Sequence, residues 1–234
     1  MDAAGIARAW NDVNARIARA APRGGVTLVA VGKTHPPEAI RALAACGARS
    51  FGENYVQEAL AKQAALADLP LEWHAIGPLQ SNKSREVARH FDWLQTLDRA
   101  KLIEPLARHR DPAAAPLNVL IQVNIDDEAS KSGCAPADAA RLADLVAAHP
   151  TLRLRGLMAI PAPLDLPRRR AAFRRMRALF DALAATHAGV DTLSMGMSDD
   201  FELAIGEGAT MVRVGSALFG ARSRDSGFGI RDSK

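Results

Sequence analysis

Eight short apolar or β-branched runs divide this chain, and segments with helical spacing follow most of them. Strands that alternate with helices form a parallel sheet with right-handed crossovers. Eight such units with no block left over predict an α/β fold that closes into a (β/α)8 TIM barrel. The predicted strands are Thr27–Val31, Arg49–Gly52, Glu72–Ile76, Trp93–Leu97, Asn118–Val123, Leu154–Ile160, Thr192–Met195 and Met211–Val214.

The segments between these runs repeat apolar residues with the spacing of one helix face. Ala4–Ala20 is predicted as an extra N-terminal helix, and Leu142, Leu145 and Val146 form the buried face of a later one. The segment RRRAAFRRMRALFDALAATH is predicted as a further helix. Its six arginines between residues 168 and 177 lie mostly off its apolar stripe, which favours a solvated outer face over an anionic partner. The buried face of that helix is predicted to consist of Phe173, Met176, Leu179, Phe180 and Leu183.

The alternative architecture is an open, doubly wound sheet. No GxGxxG follows the first strand, which argues against the dinucleotide-binding form of that fold. No stretch rich in Pro, Gly or Ser divides the chain. We therefore expect one barrel domain over residues 1–222 and a polar, frayed tail over residues 223–234.

Bulk properties place few limits on function. Apolar residues make up 48% of the chain, and the net charge of +4 is compatible with an anionic ligand without arguing for nucleic acid. No apolar run is long enough to span a bilayer, and the N-terminus lacks a secretory core. Cys46 and Cys134 lie outside any CxxC, which predicts reduced thiols, no metal site and a cytoplasmic location.

A lysine stands directly after the first predicted strand, in the stretch LVAVGKTHP. A phosphate-binding P-loop would need a glycine five residues before the Gly-Lys pair, and Thr27 holds that position. Two uses of Lys33 remain: the side chain reaches solvent, or it is an amine nucleophile that forms a Schiff base. Active sites of barrels of this kind lie at the carboxyl ends of the strands, where Lys33 is expected.

The loops after strands 7 and 8 form a second candidate region, because barrels that bind phosphate often do so there. Met197 and Ser198 follow strand 7, and Gly215 and Ser216 follow strand 8. Ser198 is predicted at the N-cap position of the next helix, and Gly215 and Ser216 at the start of another. Backbone N–H groups and hydroxyls at such places suit a phosphate. The alternative is that both serines only cap helices, which the two aspartates after Ser198 favour.

Strand 8 carries an arginine between two valines. If Val212 and Val214 face the helices, alternation places Arg213 in the barrel interior, where a guanidinium needs a partner. That partner is either an acceptor on a ligand, such as an unprotonated pyridine nitrogen, or a carboxylate such as Glu53.

An amine at one edge of the barrel mouth and a phosphate site at another describe a site for pyridoxal 5′-phosphate (PLP). Asn54 and His74 lie at or near the ends of strands 2 and 3. Each is either a further contact to the cofactor or a satisfied interior polar residue.

Six motifs stand together along the chain: AVGKTHP, FGENYVQE, WHAIGPLQSNKSR, VNIDDEASKSG, GLMAIP and LSMGMSDDFELAIGEGATMVRVGSALFG. In this combination the chain resembles the PLP homeostasis proteins, single-domain barrels related to the N-terminal domain of alanine racemase. The resemblance runs from the opening helix to Arg222. It implies that Lys33 is the Schiff-base lysine, that Arg213 lies beside the pyridine nitrogen and that Lys131 lies near the cofactor entrance. The other matched positions are Asn54 and the phosphate-binding Ser198, Gly215 and Ser216.

One stretch departs from the family pattern. The family commonly has Ser-Lys-Thr-Lys where this chain has Gly32, Lys33, Thr34 and His35. The second lysine is absent, and an imidazole cannot take over a role that needs a stable imine. Any accessory role of that lysine in capturing or passing on the aldehyde is therefore in question here.

The resemblance implies a PLP-binding protein that stores or hands over the cofactor. The alternatives are a racemase-like PLP enzyme and a barrel enzyme that acts on a phosphorylated metabolite. A racemase needs acid–base groups on both faces of its substrate; the second comes from a separate domain in alanine racemases, and here Tyr55 is the single tyrosine. We therefore expect a non-catalytic, monomeric carrier whose partners are PLP and apo PLP-dependent enzymes, with neither nucleic acid nor membrane as a partner.

Overall fold

The computed structural model describes residues 1–128, 132–163 and 165–220. The strands are β1 (Thr27–Val31), β2 (Ser50–Glu53), β3 (Glu72–Ala75), β4 (Trp93–Leu97), β5 (Leu117–Gln122), β6 (Leu152–Met158), β7 (Thr192–Ser194) and β8 (Met211–Val214). The α-helices are α1 (Ala3–Ala20), α2 (Pro37–Ala45), α3 (Val56–Ala65), α4 (Ser84–His90), α5 (Ile103–His109), α6 (Ala139–Ala147), α7 (Leu166–Thr186), α8 (Phe201–Gly206) and α9 (Ser216–Phe219). Short 3-10 helices cover Ser81–Lys83, Ala100–Leu102 and Pro136–Asp138.

The strands form a closed barrel in sequence order, so the predicted TIM barrel is confirmed. All neighbouring strands pair in parallel, and β8 closes on β1 with Thr27 opposite Met211 and Ala30 opposite Val214. The extra helix α1 is also confirmed. Its Arg16 holds Glu202 of α8 through two hydrogen bonds, of 2.6 and 3.0 Å. Closure brings the carboxyl ends of β1, β7 and β8 to one side of the barrel mouth.

Most strand boundaries agree with the sequence predictions to within one residue. The largest difference is in β6, which begins at Leu152 and ends at Met158 rather than at Ile160. Pro161 and Pro163 follow, and a proline has no N–H to donate to a sheet. The chain therefore leaves the sheet early, and the N–H of Ala162 donates to the Asp126 carboxylate at 2.6 Å instead.

Two apolar layers fill the molecule. The larger lies between the strands and the surrounding helices, and the smaller fills the barrel with Val29, Trp93, Leu120, Met158 and Met211. On α7 the predicted stripe is buried, although Leu179 is buried only in part. The prediction for Leu145 was wrong, because its side chain is 39% exposed. The buried face of α6 is centred between Leu142 and Ala143, which leaves Leu145 at its margin.

No helix in the described ranges is both long and apolar enough to cross a membrane. Cys46 and Cys134 are free cysteines. The tail from residue 223 and Lys131 lie outside the described residues.

Candidate functional site

A cavity of about 240 Å³ opens at the carboxyl ends of β1, β7 and β8. Its lining includes most of the residues that the sequence singled out: Lys33, Met197, Ser198, Arg213, Gly215 and Ser216. The structure places Asn54 and His74, which are both described, outside this lining. The closure of the barrel therefore unites the two candidate regions that the sequence left far apart.

A larger cavity, of about 590 Å³, lies at the opposite end of the barrel, near the ends of α4 and α5. It contains none of the predicted site residues. Its lining includes Arg89, His90, Arg108 and His109, which occupy the last turns of these two helices. Basic side chains there stabilise the negative end of a helix dipole without any ligand. The mouth cavity is therefore the better candidate for the functional site.

Lys33 is presented by a tight turn. The N–H of His35 donates to the carbonyl of Gly32 at 3.0 Å, which closes a four-residue turn with Lys33 as its second residue. Thr34, the third residue, has a φ of 65°, in the left-handed region where a type II turn usually places glycine. His35 stacks on Phe219 with a centroid distance of 4.5 Å. The residue at the position of the family's second lysine thus makes an aromatic contact to α9 in this chain.

The loops after β7 and β8 meet at the other side of the cavity. The backbone N–H of Ala217 donates to Ser198 Oγ at 3.4 Å. The predicted N-cap role of Ser198 was wrong, because α8 begins at Phe201 with Asp200 as its N-cap residue. The N–H of Met197 donates to the Asp200 carboxylate at 2.7 Å, so residues 197–200 close a turn before the helix starts.

Two charged side chains modify this side of the cavity. Asp199 shares the lining and adds a negative charge that any anionic ligand must overcome. Arg169 of α7 pairs with Asp200 at 3.3 Å and is only 17% exposed in its side chain. The prediction of a solvated arginine face was therefore wrong for Arg169, which braces the loop after β7 instead.

Arg213 lies inside the barrel and is 3% exposed, while Val212 and Val214 pack in the layer under the helices, as alternation predicted. The guanidinium donates to Ser194 Oγ at 2.6 Å and to the carbonyl of Ala159 at 2.9 Å. The alternative ion pair with Glu53 is not formed. Burial lowers the pKa of Arg213 to about 10, so the side chain stays protonated at neutral pH.

A chain of hydrogen bonds runs from Arg213 through the barrel interior. Ser194 Oγ donates to Gln95 Oε1 at 2.7 Å, and Gln95 Nε2 lies 2.9 Å from His74 Nδ1. His74 Nε2 lies 2.9 Å from a carboxylate oxygen of Glu72. The network assigns the proton of His74 to Nε2. His74 is thus linked to the cavity through other residues.

Sequence reasoning missed Gln95 and Ser194. The available signal was a polar residue inside an otherwise buried strand, since such groups need partners. Both are fully buried. Asn54 is half-buried after β2, and Tyr55 beside it is 65% exposed. In the described residues, no group of three or more His, Cys, Asp or Glu side chains is arranged to hold a metal ion.

Comparison with known proteins agrees with this architecture. Residues 9–223 match the family described as alanine racemase, N-terminal domain. The chain is 57% identical to the pyridoxal phosphate homeostasis protein of Pseudomonas aeruginosa over 216 aligned residues. The alignment covers 90% of this chain and 93% of that protein. It is 51% identical over 226 residues to the protein of the same name from Escherichia coli K12, covering 93% and 97%. The chain therefore belongs to the pyridoxal phosphate homeostasis protein family.

A solved relative carries the cofactor. PipY of Synechococcus elongatus, whose structure was determined with PLP bound, is 39% identical to this chain. The two structures align with a TM-score of 0.82 over 92% of this chain and 100% of that one.

We predict that Glu72→Gln lowers the free energy of unfolding near neutral pH but not near pH 2. The hydrogen bond with His74 holds the pKa of Glu72 at about 2, below its ordinary 4.5. The stabilisation is therefore fully present above pH 4.5 and is lost as the pH falls through about 2. Because the Glu72 side chain is 42% exposed, solvent screening limits the effect to about 1 kcal/mol.

Urea unfolding of both proteins across this pH range measures the difference. Glu104→Gln is the control, because within the described ranges this exposed carboxylate on α5 has no ion-pair partner. A difference between wild type and Glu72→Gln that stays constant with pH would contradict the assignment.

Proposed function

We propose that this protein binds PLP as a Schiff base on Lys33 and contributes to PLP homeostasis by storing the cofactor or handing it over. One observation carries the proposal: a single cavity is lined by Lys33, by the hydroxyl-bearing loops after β7 and β8, and by Arg213. The names of the relatives and the PLP-bound structure of PipY support it.

The lining residues suit this cofactor. The cavity of about 240 Å³ is close to the lower end of the range for small-ligand pockets, about 300–1,000 Å³, which fits a single-ring compound. PLP supplies an aldehyde that bonds to a primary amine and a ring that accepts electrons. Lys33 would supply the amine. Ser198, Gly215 and Ser216 would hold the phosphate with hydroxyl and backbone N–H groups.

Arg213 would face the ring nitrogen and keep it unprotonated. Its pKa of about 10 leaves the guanidinium charged at neutral pH, so it donates a hydrogen bond without giving up its proton. An unprotonated pyridine is a weaker electron sink. Arg213 therefore favours holding the cofactor over stabilising negative charge on a bound amino acid.

Reduction of the PLP-loaded protein with borohydride, followed by peptide mapping, should place the label on Lys33. Lys33→Ala should lose the label and the absorbance near 420 nm, roughly where protonated PLP Schiff bases absorb. Lys83→Ala, which changes a lysine outside the cavity lining, should keep both. Label on another lysine while Lys33 remains unmodified would refute the assignment.

Ser198→Ala and Ser216→Ala should weaken PLP binding about tenfold to a hundredfold, because a hydrogen bond to a charged group contributes about 1.5–3 kcal/mol. Pyridoxal, which lacks the phosphate, should bind these variants and wild type equally. Ser81→Ala, at an exposed serine outside the cavity, is the control. Equal losses for PLP and pyridoxal would show that these serines do not recognise the phosphate.

The alternative, a racemase-like enzyme, makes a different prediction. Abstraction and return of an α-proton on opposite faces needs a second positioned acid, whereas exchange of one amine for another on the cofactor needs only Lys33 and an incoming amine. Tyr55, the single tyrosine of the chain, is 65% exposed and belongs to neither cavity lining.

The two functions separate in deuterated water. The PLP-loaded protein and L-alanine should give neither sustained α-deuterium exchange nor D-alanine.

Mixed with an apo PLP-dependent enzyme and a trap for free PLP, the loaded protein should restore that enzyme's activity if it hands the cofactor over directly. Storage alone would leave the apo enzyme inactive. Racemisation that is lost in Lys33→Ala would refute the carrier function.

A further inference from the structure

Two side chains that do not line the cavity hold the backbone on both sides of Lys33. Lys62 of α3 donates from Nζ to the carbonyl of Gly32 at 2.7 Å. Glu58, one turn earlier on the same helix, accepts from the N–H of Thr34 at 2.8 Å. The residue before Lys33 and the residue after it are therefore both tied to α3.

These two side chains belong to one buried ionic cluster. Lys62 Nζ lies 2.8 Å from Glu53 Oε1 and 2.6 Å from Glu58 Oε1. The side chains of Lys62 and Glu53 are 5% and 0% exposed. An ammonium has three donors, and Lys62 uses them on Gly32, Glu53 and Glu58. Lys62 is thus fully engaged, which leaves it poorly suited to react with an aldehyde.

The turn needs such support. A threonine at φ 65° is a rare conformation for a β-branched residue and costs free energy. Strain of this kind persists only where the surroundings enforce it. The N–H of Thr34 is the group that Glu58 binds, so the cluster acts at the strained residue itself.

Gly32 makes room for the cluster. A Cβ added at Gly32 would lie 2.7 Å from Glu53 Oε1 and 3.2 Å from a methyl group of Ile40. A residue with a side chain at this position would therefore force Glu53 to shift. Glycine here permits the close approach of the carboxylate to the end of β1.

We propose that Glu53, Glu58 and Lys62, which we call the Lys62 clamp, are positioning residues that fix the turn and so aim the Lys33 amine into the cavity. The proposal rests on the proposed function, because it concerns the Schiff-base lysine. The cluster bonds to the carbonyl of Gly32 and the N–H of Thr34, the two peptide groups that flank Lys33. Burial raises the pKa of Glu53 while Lys62 lowers it, and its Oε2 has no hydrogen-bond partner in the described structure, so the arrangement is costly for folding.

Two variants remove the clamp in different ways. The double variant Glu53→Gln/Lys62→Met replaces both buried charges by neutral groups of similar size, which protects the fold. Glu58→Ala removes the acceptor of Thr34 at a partly exposed position on a helix. Arg41→Met is the matched control, because it breaks the Arg41–Asp68 ion pair of 2.6 Å and a bond to the carbonyl of Ala65 at the end of α3, neither of which involves the turn or a clamp residue.

Two probes separate aiming of Lys33 from the shape of the cavity. PLP reports Schiff-base formation through its absorbance band. 4′-Deoxypyridoxine 5′-phosphate carries the phosphate and the ring but no aldehyde, so it reports binding alone. Circular dichroism and urea unfolding establish that each variant is folded.

In both clamp variants we expect the rate of Schiff-base formation to fall about tenfold to a hundredfold, because moving a reacting group by about 1 Å slows a reaction by about this factor. Binding of the deoxy analogue should stay within about twofold of wild type, and Arg41→Met should match wild type with both probes.

Two results would overturn the clamp. Folded variants that form the Schiff base at the wild-type rate would show that the cluster does not aim Lys33. A parallel loss of PLP and deoxy-analogue binding would show that it only maintains the cavity. Failure of wild type itself to form a Schiff base would instead refute the proposed function, and the wild-type arm of the experiment reveals that outcome separately.

Discussion

The parallel pairing of β1 with β8 is the contact on which the candidate site depends. It runs from Thr27 opposite Met211 to Ala30 opposite Val214. In an open sheet these two strands would lie at separate edges, and the loops that follow them would not meet. Closure places Lys33, from the first strand, in one cavity with Gly215, from the last. Gly215 permits the approach, since a Cβ there would come within 3.3 Å of Val31.

Two buried cations near the cavity, Lys62 and Arg213, have opposite surroundings. Lys62 is buried with two carboxylates and is neutralised within the protein. Arg213 is buried against a hydroxyl and a carbonyl, both uncharged. No carboxylate pairs with Arg213 directly, and Asp200 acts on its charge only from a longer distance. One small region thus holds two buried cations, one paired with carboxylates and the other bonded to uncharged groups.

Period and alternation were enough to predict the barrel, the strand ends and the inward direction of Arg213. They were also enough to gather most of the cavity lining, because a barrel brings all strand ends to one face. They failed where the outcome depends on which side chain lies next to which in space. Alternation leaves Glu53 open as a partner of Arg213, yet in the structure Glu53 pairs with Lys62 of α3. The sequence predicts Ser198 at a helix start. In the structure a turn closed by Asp200 comes first, and α8 begins only at Phe201; the hydrophobic period does not reveal this turn.

The interior hydrogen bonds from Arg213 to Glu72 all run in the same sense. A guanidinium only donates and an ionised carboxylate only accepts, so the two ends dictate the order of every proton between them. Ser194, Gln95 and His74 each receive on one side and donate on the other. Their bond dipoles therefore add head to tail, as in a row of ordered ice. Each of these dipoles turns its negative end towards the mouth and its positive end towards Glu72, so the row weakens the field that the guanidinium and the carboxylate set up between them. A negatively charged guest at the mouth would therefore meet a field set by Arg213, by the ordered row behind it and by a carboxylate at the far end.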